Sequence, residues 1–288
     1  MISALFEYQF MQNAFIASIL ASIVCGIIGV IVVEKKLVMM SGGIAHTAYG
    51  GVGLGYLLGF EPIIGAFLFS VSAALGIGAI KRRGGVQSDV IIGLFWSLGM
   101  ALGIVFIALM PGYPPDLNSY LFGNILSVTK ADLYLMIILS FLVVFIVIAL
   151  FQDWKAYLFD EEFASIIGIK TVFLEYLLLV LVAMTVVVLI RVAGIILVLA
   201  LLTAPSAMAS IFSKRLKSRM IFAVIFGVIF CISGLWISYK LNIASGACIV
   251  ILSVVCYFFT YAIRIVHIKM KRKNIASKQI VGEEESEV

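Results

Sequence analysis

The chain of 288 residues is 64% hydrophobic and only 12% charged, with a formal net charge of +5 and a mean hydropathy of +1.21. Soluble domains carry about 25% charged residues, so this composition excludes a soluble globular protein, a disordered chain and a disulfide scaffold, and leaves an integral membrane protein. Aromatic residues spread through the sequence without a ten-residue alternation also argue against an outer-membrane barrel.

Charge-free runs set the spans, because a crossing helix needs about 20 apolar residues. In chain order they predict helices at 10–33, 38–59, 62–80, 88–110, 132–152, 171–189, 193–212, 219–239 and 243–263, the sixth being cut short by Arg191. The expected fold class is an all-α polytopic bundle of eight or nine transmembrane helices. With the N-terminus outside, 17 of the 20 basic residues fall on inner loops and the tail, and only Lys130, Arg191 and Lys240 fall outside. Cytoplasmic loops carry the excess of Lys and Arg, so the C-terminus is expected in the cytoplasm. The positive net charge then reflects topology and needs no nucleic acid to explain it. The first apolar stretch is too long for a signal peptide and lacks a basic lead. Residues 1–266 are expected to form the transmembrane domain. Residues 267–288 form a tail whose basic part (KMKRKN) rests on anionic lipid and whose acidic end is expected to be disordered.

All four cysteines (Cys25, Cys231, Cys248, Cys256) lie inside apolar spans without the spacing of a metal or redox pair, and read as small buried hydrophobes. The outer connection 111–130 is broken by Pro and Gly and is too short to cross, which predicts a half-inserted or surface helix. The inner connection 152–170 contains FDEEFASIIGIK. Asp160 can cap a helix start, Glu161 and Glu162 fall in its positive first turn, and Gly168 is a natural stop. The short helix between them carries Phe163, Ile166 and Ile167 on an apolar face. It is either an ordinary structured loop or a segment that docks into a partner groove.

Ionisable groups at membrane depth are functional candidates, and there are few. His46 lies midway along the second span, among Ser41, Gly42, Gly43, Thr47, Gly50, Gly51, Gly53 and Gly55. Small residues let helix backbones approach closely, and six glycines within 42–55 weaken the helix. Such a span packs tightly or lines a pathway. His46 itself is either hydrogen-bonded to a neighbouring helix or a metal ligand; a neutral imidazole suits Zn, Mn or Fe, but one histidine does not make a site. Asp89 is placed to pair with Arg82 or Arg83. Pro205 kinks the seventh span, with Ser206 able to satisfy a freed carbonyl. No catalytic triad, metalloprotease motif or Walker A sequence occurs, so the chain reads as neither an enzyme nor an ATPase, and no cofactor of its own is expected.

Six segments in order resemble the membrane permease subunits of the zinc, manganese and iron(II) ABC importers: GIAHTAYGGVGLG around His46, QSDVIIGLFWSLGMALG from Gln87, DLNSYLFGNILSVTKADL from Asp116, FDEEFASIIGIK, VAGIILVLALLTAPSAMA from Val192, and SYKLNIASGACIVIL from Ser238. The resemblance implies a plasma-membrane homodimer served by two cytoplasmic ATP-binding-cassette subunits, which use the ATP, and by an extracellular solute-binding protein. It implies that Asp160, Glu161, Glu162, Phe163, Ile166 and Gly168 form the ATPase-docking helix. It implies a substrate path past Ser41, Gly42, His46, Thr47 and Gly50, with His46 as metal ligand. The family places an Asp four residues before that histidine; here the position is Gly42. Asn242 and Ala244 replace an Asp and a Pro of the closing segment. Three alternatives stay open: a gradient-driven secondary transporter, which would need intramembrane carboxylates; an ABC permease for a non-metal substrate; and a membrane scaffold without transport.

Overall fold

A computed structural model describes residues 8–84, 87–112, 123 and 125–286, with side chains described as far as residue 270. Lipid offers the backbone no hydrogen bonds, so a chain this apolar must satisfy its peptide groups internally. Among the described residues it does so with helices alone. These are α1 (Gln9–Glu34), α2 (Val38–Leu58), α3 (Pro62–Arg83), α4 (Ser88–Ala108), a 3-10 turn (Ile125–Ser127), α5 (Lys130–Ala149), α6 (Phe151–Phe159), α7 (Glu161–Ile166), α8 (Thr171–Phe212), α9 (Leu216–Leu241) and α10 (Ser245–Ser286).

Seven of them, α1, α3, α4, α5, α8, α9 and α10, are long and apolar enough to cross a membrane. α2 has the length, at 21 residues, but its glycines, hydroxyls and His46 dilute its hydropathy. The predicted fifth span stops at Ala149, and α6 follows it with Trp154 and Tyr157 buried. α10 continues past the predicted ninth span to Ser286. Of the 111–130 connection, residues 113–122 and 124 lie outside the described residues, and with them most of the predicted half-inserted helix. The described part is the 3-10 turn and a capping box in which Thr129 and Asp132 satisfy each other's backbone at the start of α5.

α8 sits at the centre, packed on α1, α2, α3, α5, α9 and α10. Its 42 residues would reach about 63 Å if straight, twice a hydrocarbon core of about 30 Å. Gly194 breaks it, with φ 72° and ψ 161°, a conformation that glycine adopts without strain. This corrects the expectation that Arg191 ends the sixth span: the helix runs through Arg191, and the backbone breaks three residues later. Gly123, itself at φ 65°, sits so close to Ala193 and Gly194 that a Cβ there would overlap their backbone. Gly123 is thus seated in the break.

Ion pairs sort the loops into two ends. Arg191 bonds Glu61 at 3.0 Å and Asp132 at 3.2 Å, gathering the α2–α3 turn, the start of α5 and the middle of α8. At the opposite end Glu175 accepts Lys81 and Arg82, each at 3.0 Å, Lys35 meets Glu161 at 2.7 Å, and Arg219 meets Glu34. The first half of α8 therefore runs from one end of the bundle to the other between Glu175 and Arg191. Arg82 pairs with Glu175 rather than with Asp89, which is exposed. The buried Ser206 hydroxyl has no partner among the described residues and packs against Gly29, so it does not serve the carbonyl freed by Pro205.

The glycines of α2 are packing positions on a regular helix. A Cβ on Gly53 would stand 2.7 Å from the Gly103 carbonyl oxygen, and one on Gly50 2.8 Å from that of Gly99. Gly51 and Gly65 meet backbone to backbone between α2 and α3, and Gly55 faces Pro62. Small residues on three sides let α2 lie in near contact with α3 and α4.

Candidate functional site

Two places bring the candidate residues together: the middle of α2 against α4, and the loop around α7 between α6 and α8.

His46 is half-buried. Its ring stacks on Trp96 with centroids 4.0 Å apart and planes 11° from parallel, and its Nδ1 lies 3.5 Å from the Sδ of Met100. Trp96 and Met100 are one turn apart on α4, so they face the same way. Gly42, one turn before His46, adjoins the same indole: a Cβ there would stand 3.3 Å from Cζ3 of Trp96. The cluster is therefore imidazole, thioether and indole, with no carboxylate on α2 and only Asp89, in the first turn, on α4. Among the described residues no three His, Cys, Asp or Glu side chains come together as a metal cage.

The other positions expected along a path have local bonds. Ser41 donates to the Val38 carbonyl at 2.7 Å. Thr47 donates to the carbonyls of Gly43 at 2.7 Å and Phe95 at 3.0 Å, so its hydroxyl ties α2 to α4. Gly50 lies between Gly99 and Phe69. Met40 is buried in the core and Met39 is exposed. Asn242, in the closing segment, ends α9 in the left-handed conformation with φ 53°, which asparagine tolerates better than most residues.

Trp96 and Met100 were not singled out by the sequence. The available signal was an aromatic and a methionine at i, i+4, on a helix whose Gly99 and Gly103 also repeat at i, i+4. That spacing shows a shared face, but it does not reveal which helix the face meets.

The site around α7 follows local rules throughout. The Asp160 side chain accepts from the backbone N–H of Phe163 at 3.0 Å and caps α7. At the other end Gly168 takes φ 90°. The N–H of Gly168 reaches Ser165 at 3.1 Å and that of Ile169 reaches Ala164 at 3.0 Å, the paired bonds of a Schellman stop. Phe163 is 54% exposed and Ile166 82%, with Ile167 and Phe159 beside them. Glu162 is exposed. Glu161 instead holds Lys35, whose ammonium also lies 3.6 Å from the centre of the Tyr157 ring. Burial, then the charges of Glu161 and Glu175, push the Tyr157 hydroxyl up, with Arg82 opposing; the ring beneath Lys35 stays a neutral phenol. α7 is thus a well-capped helix that leaves Phe163, Ile166 and Ile167 exposed and is tethered to the α1–α2 turn.

A model of the ABC 3 transport family matches residues 7–264. An uncharacterized membrane protein of Synechocystis sp. is 41% identical over 264 residues, 92% of this chain and 94% of its own length. The manganese transport system membrane protein MntC of Listeria monocytogenes is 34% identical over 260 residues, 90% of this chain and 92% of its own. Among solved structures, PsaBC from Streptococcus pneumoniae in complex with Fab contains a chain that superposes with a TM-score of 0.82 at 32% identity, covering 90% of this chain and 94% of that one.

Proposed function

We propose, from the fact that this chain belongs to the ABC 3 transport family and is therefore a multi-pass membrane permease subunit of an ABC importer rather than an enzyme, that it passes a divalent metal ion across the plasma membrane along the face of α2 that carries His46. The single observation carrying the reading is the match of the family over residues 7–264 with manganese-system relatives of nearly equal length. His46 supports the location. It lies midway along α2, whereas the other histidine, His267, lies in the last turn of the apolar part of α10 (Ser245–Met270); the His46 ring is half-buried and leaves a side exposed. A second copy of the chain closes that side and brings a second imidazole to the ion. ATP is used by a separate cytoplasmic ATPase that docks on residues 160–168, and an extracellular solute-binding protein delivers the ion.

The chain crosses the membrane nine times, α2 and both halves of α8 included, with residues 1–266 as the permease domain, the N-terminus outside and the tail in the cytoplasm. Support comes from the ion-paired ends. Glu175, Lys81, Arg82, Lys35 and Arg219 share the end rich in basic residues, and Arg191 with Glu61 and Asp132 mark the other.

A second reading concerns the ion. Manganese prefers carboxylate oxygen, whereas imidazole and thioether suit softer ions. With Gly42 in place of an acid and Met100 beside His46, the site favours zinc over manganese. Competitive uptake of zinc, manganese, iron and cobalt isotopes by the permease reconstituted with its ATPase decides between them. His46→Ala abolishes that uptake while the protein remains folded; normal transport by the variant removes histidine from the mechanism. Accumulation by liposomes holding the permease alone, driven by an ion gradient, would refute the importer reading.

A further inference from the structure

α5 and α9 each pack on α1 but hardly on one another. Between them an open groove of about 670 Å³ runs over α1, lined by Ile27, Val144, Ile148, Val224 and Ile225. It is almost wholly apolar except for Lys217 at one end. Gly26 explains its depth: a Cβ there would stand 2.8 Å from the backbone nitrogen of Val224, so α1 and α9 lie close together and leave α5 as the far wall. A second cavity, of about 710 Å³, shares Phe151 and Lys217 with the first. It is lined by Lys155, Lys214, Arg215 and Arg219 together with Glu34. Glu34 is taken by Arg219, and Lys155, Lys214, Arg215 and Lys217 have no acidic partner among the described residues.

We propose that these two cavities form one binding site for an anionic phospholipid, its acyl chain in the groove and its phosphate among the unpaired lysines. The charge decides the occupant. An apolar slot in a membrane protein accepts any acyl chain, but four basic side chains at its inner mouth select a negative headgroup. Each cavity by itself lies in the range that holds one small ligand or chain, roughly 300–1,000 Å³. The site adjoins α7, because Phe159 and Phe163 also border the basic cavity. The headgroup site thus shares Phe163 with the proposed docking helix.

Native mass spectrometry of the full-length protein, released from nanodiscs of equal parts phosphatidylcholine and phosphatidylglycerol, tests the proposal. Phosphatidylglycerol is retained in preference. Each of Lys155→Gln, Lys214→Gln and Lys217→Gln lowers that preference about fivefold. Val144→Trp, which fills the slot, lowers retention of both lipids. Equal retention of the two lipids by the unmodified protein would overturn the proposal, as would an unchanged preference in the triple lysine variant. A photo-cross-linker at position 225 forms lipid adducts; adducts with a second copy of the chain would overturn it too, by showing that protein fills the groove.

Discussion

α7 has six residues, too few to stand as a helix by its own propensity, so its two ends decide whether it exists. Asp160→Ala removes the acceptor for the Phe163 N–H and costs about 1 kcal/mol. Gly168→Ala forces a Cβ into φ 90° and costs about 1–2 kcal/mol. The Lys35–Glu161 pair adds little, since Glu161 is 45% exposed and well screened. Either substitution therefore raises local opening of α7 about fivefold or more, and the pair together multiplies the effects, because the two ends share no contact. Hydrogen exchange of the full-length protein in nanodiscs reads this directly. The amides of residues 163–169 lose protection, and those of α1 and α8 do not. ATP hydrolysis coupled to transport falls in step, while the permease stays folded. Unchanged exchange at 163–169 in the Asp160→Ala variant would refute the assignment of the caps as the source of α7 stability. Lost exchange protection with full coupling would instead separate helix order from docking.

Other outcomes follow from the same geometry. Gly99→Val drives a side chain into the backbone of Thr47 and costs about 1–3 kcal/mol or more, whereas Gly93→Ala, with open space around it, is neutral; thermal unfolding in detergent distinguishes them, and equal melting points would count against the packing account. Glu175→Gln leaves Lys81 and Arg82 without their shared carboxylate, which is itself 7% exposed, and lowers the melting point more than Glu61→Gln, whose carboxylate is 55% exposed. Phe163→Asp places a charge on the exposed face of α7 and abolishes ATP-coupled uptake without unfolding the chain. Gly42→Asp puts a carboxylate one turn before His46 and shifts isotope uptake toward manganese over zinc; an unchanged ratio would detach Gly42 from ion choice.

What could be read from the sequence was what depends on neighbours along the chain. The caps of α7 are all within nine residues, and the apolar runs give the long helices without reference to packing. The break in α8 is hidden in the sequence because a charge inside an apolar run looks like an end. Arg191 instead stays helical, its guanidinium held by Glu61 and Asp132 from two distant segments, while the actual break is one glycine among aliphatic residues. Pairing between helices was similarly hidden. Asp89 and Arg82 are close in sequence, yet Glu175, 93 positions from Arg82, takes the cation. At His46 the sequence offered the histidine and the small residues. Trp96 and Met100 join them only because Gly99 and Gly103 let α4 approach.

Lys35 holds Glu161 and stands three residues before α2 begins at Val38. His46 lies eight residues into that helix, about 12 Å along its axis at 1.5 Å per residue. A helix is stiff along its length, and the turn between α1 and α2 is short. The Lys35–Glu161 pair therefore ties α7 to the end of α2 that lies about two turns before the imidazole, so the two candidate places sit on one continuous helix and its leading turn.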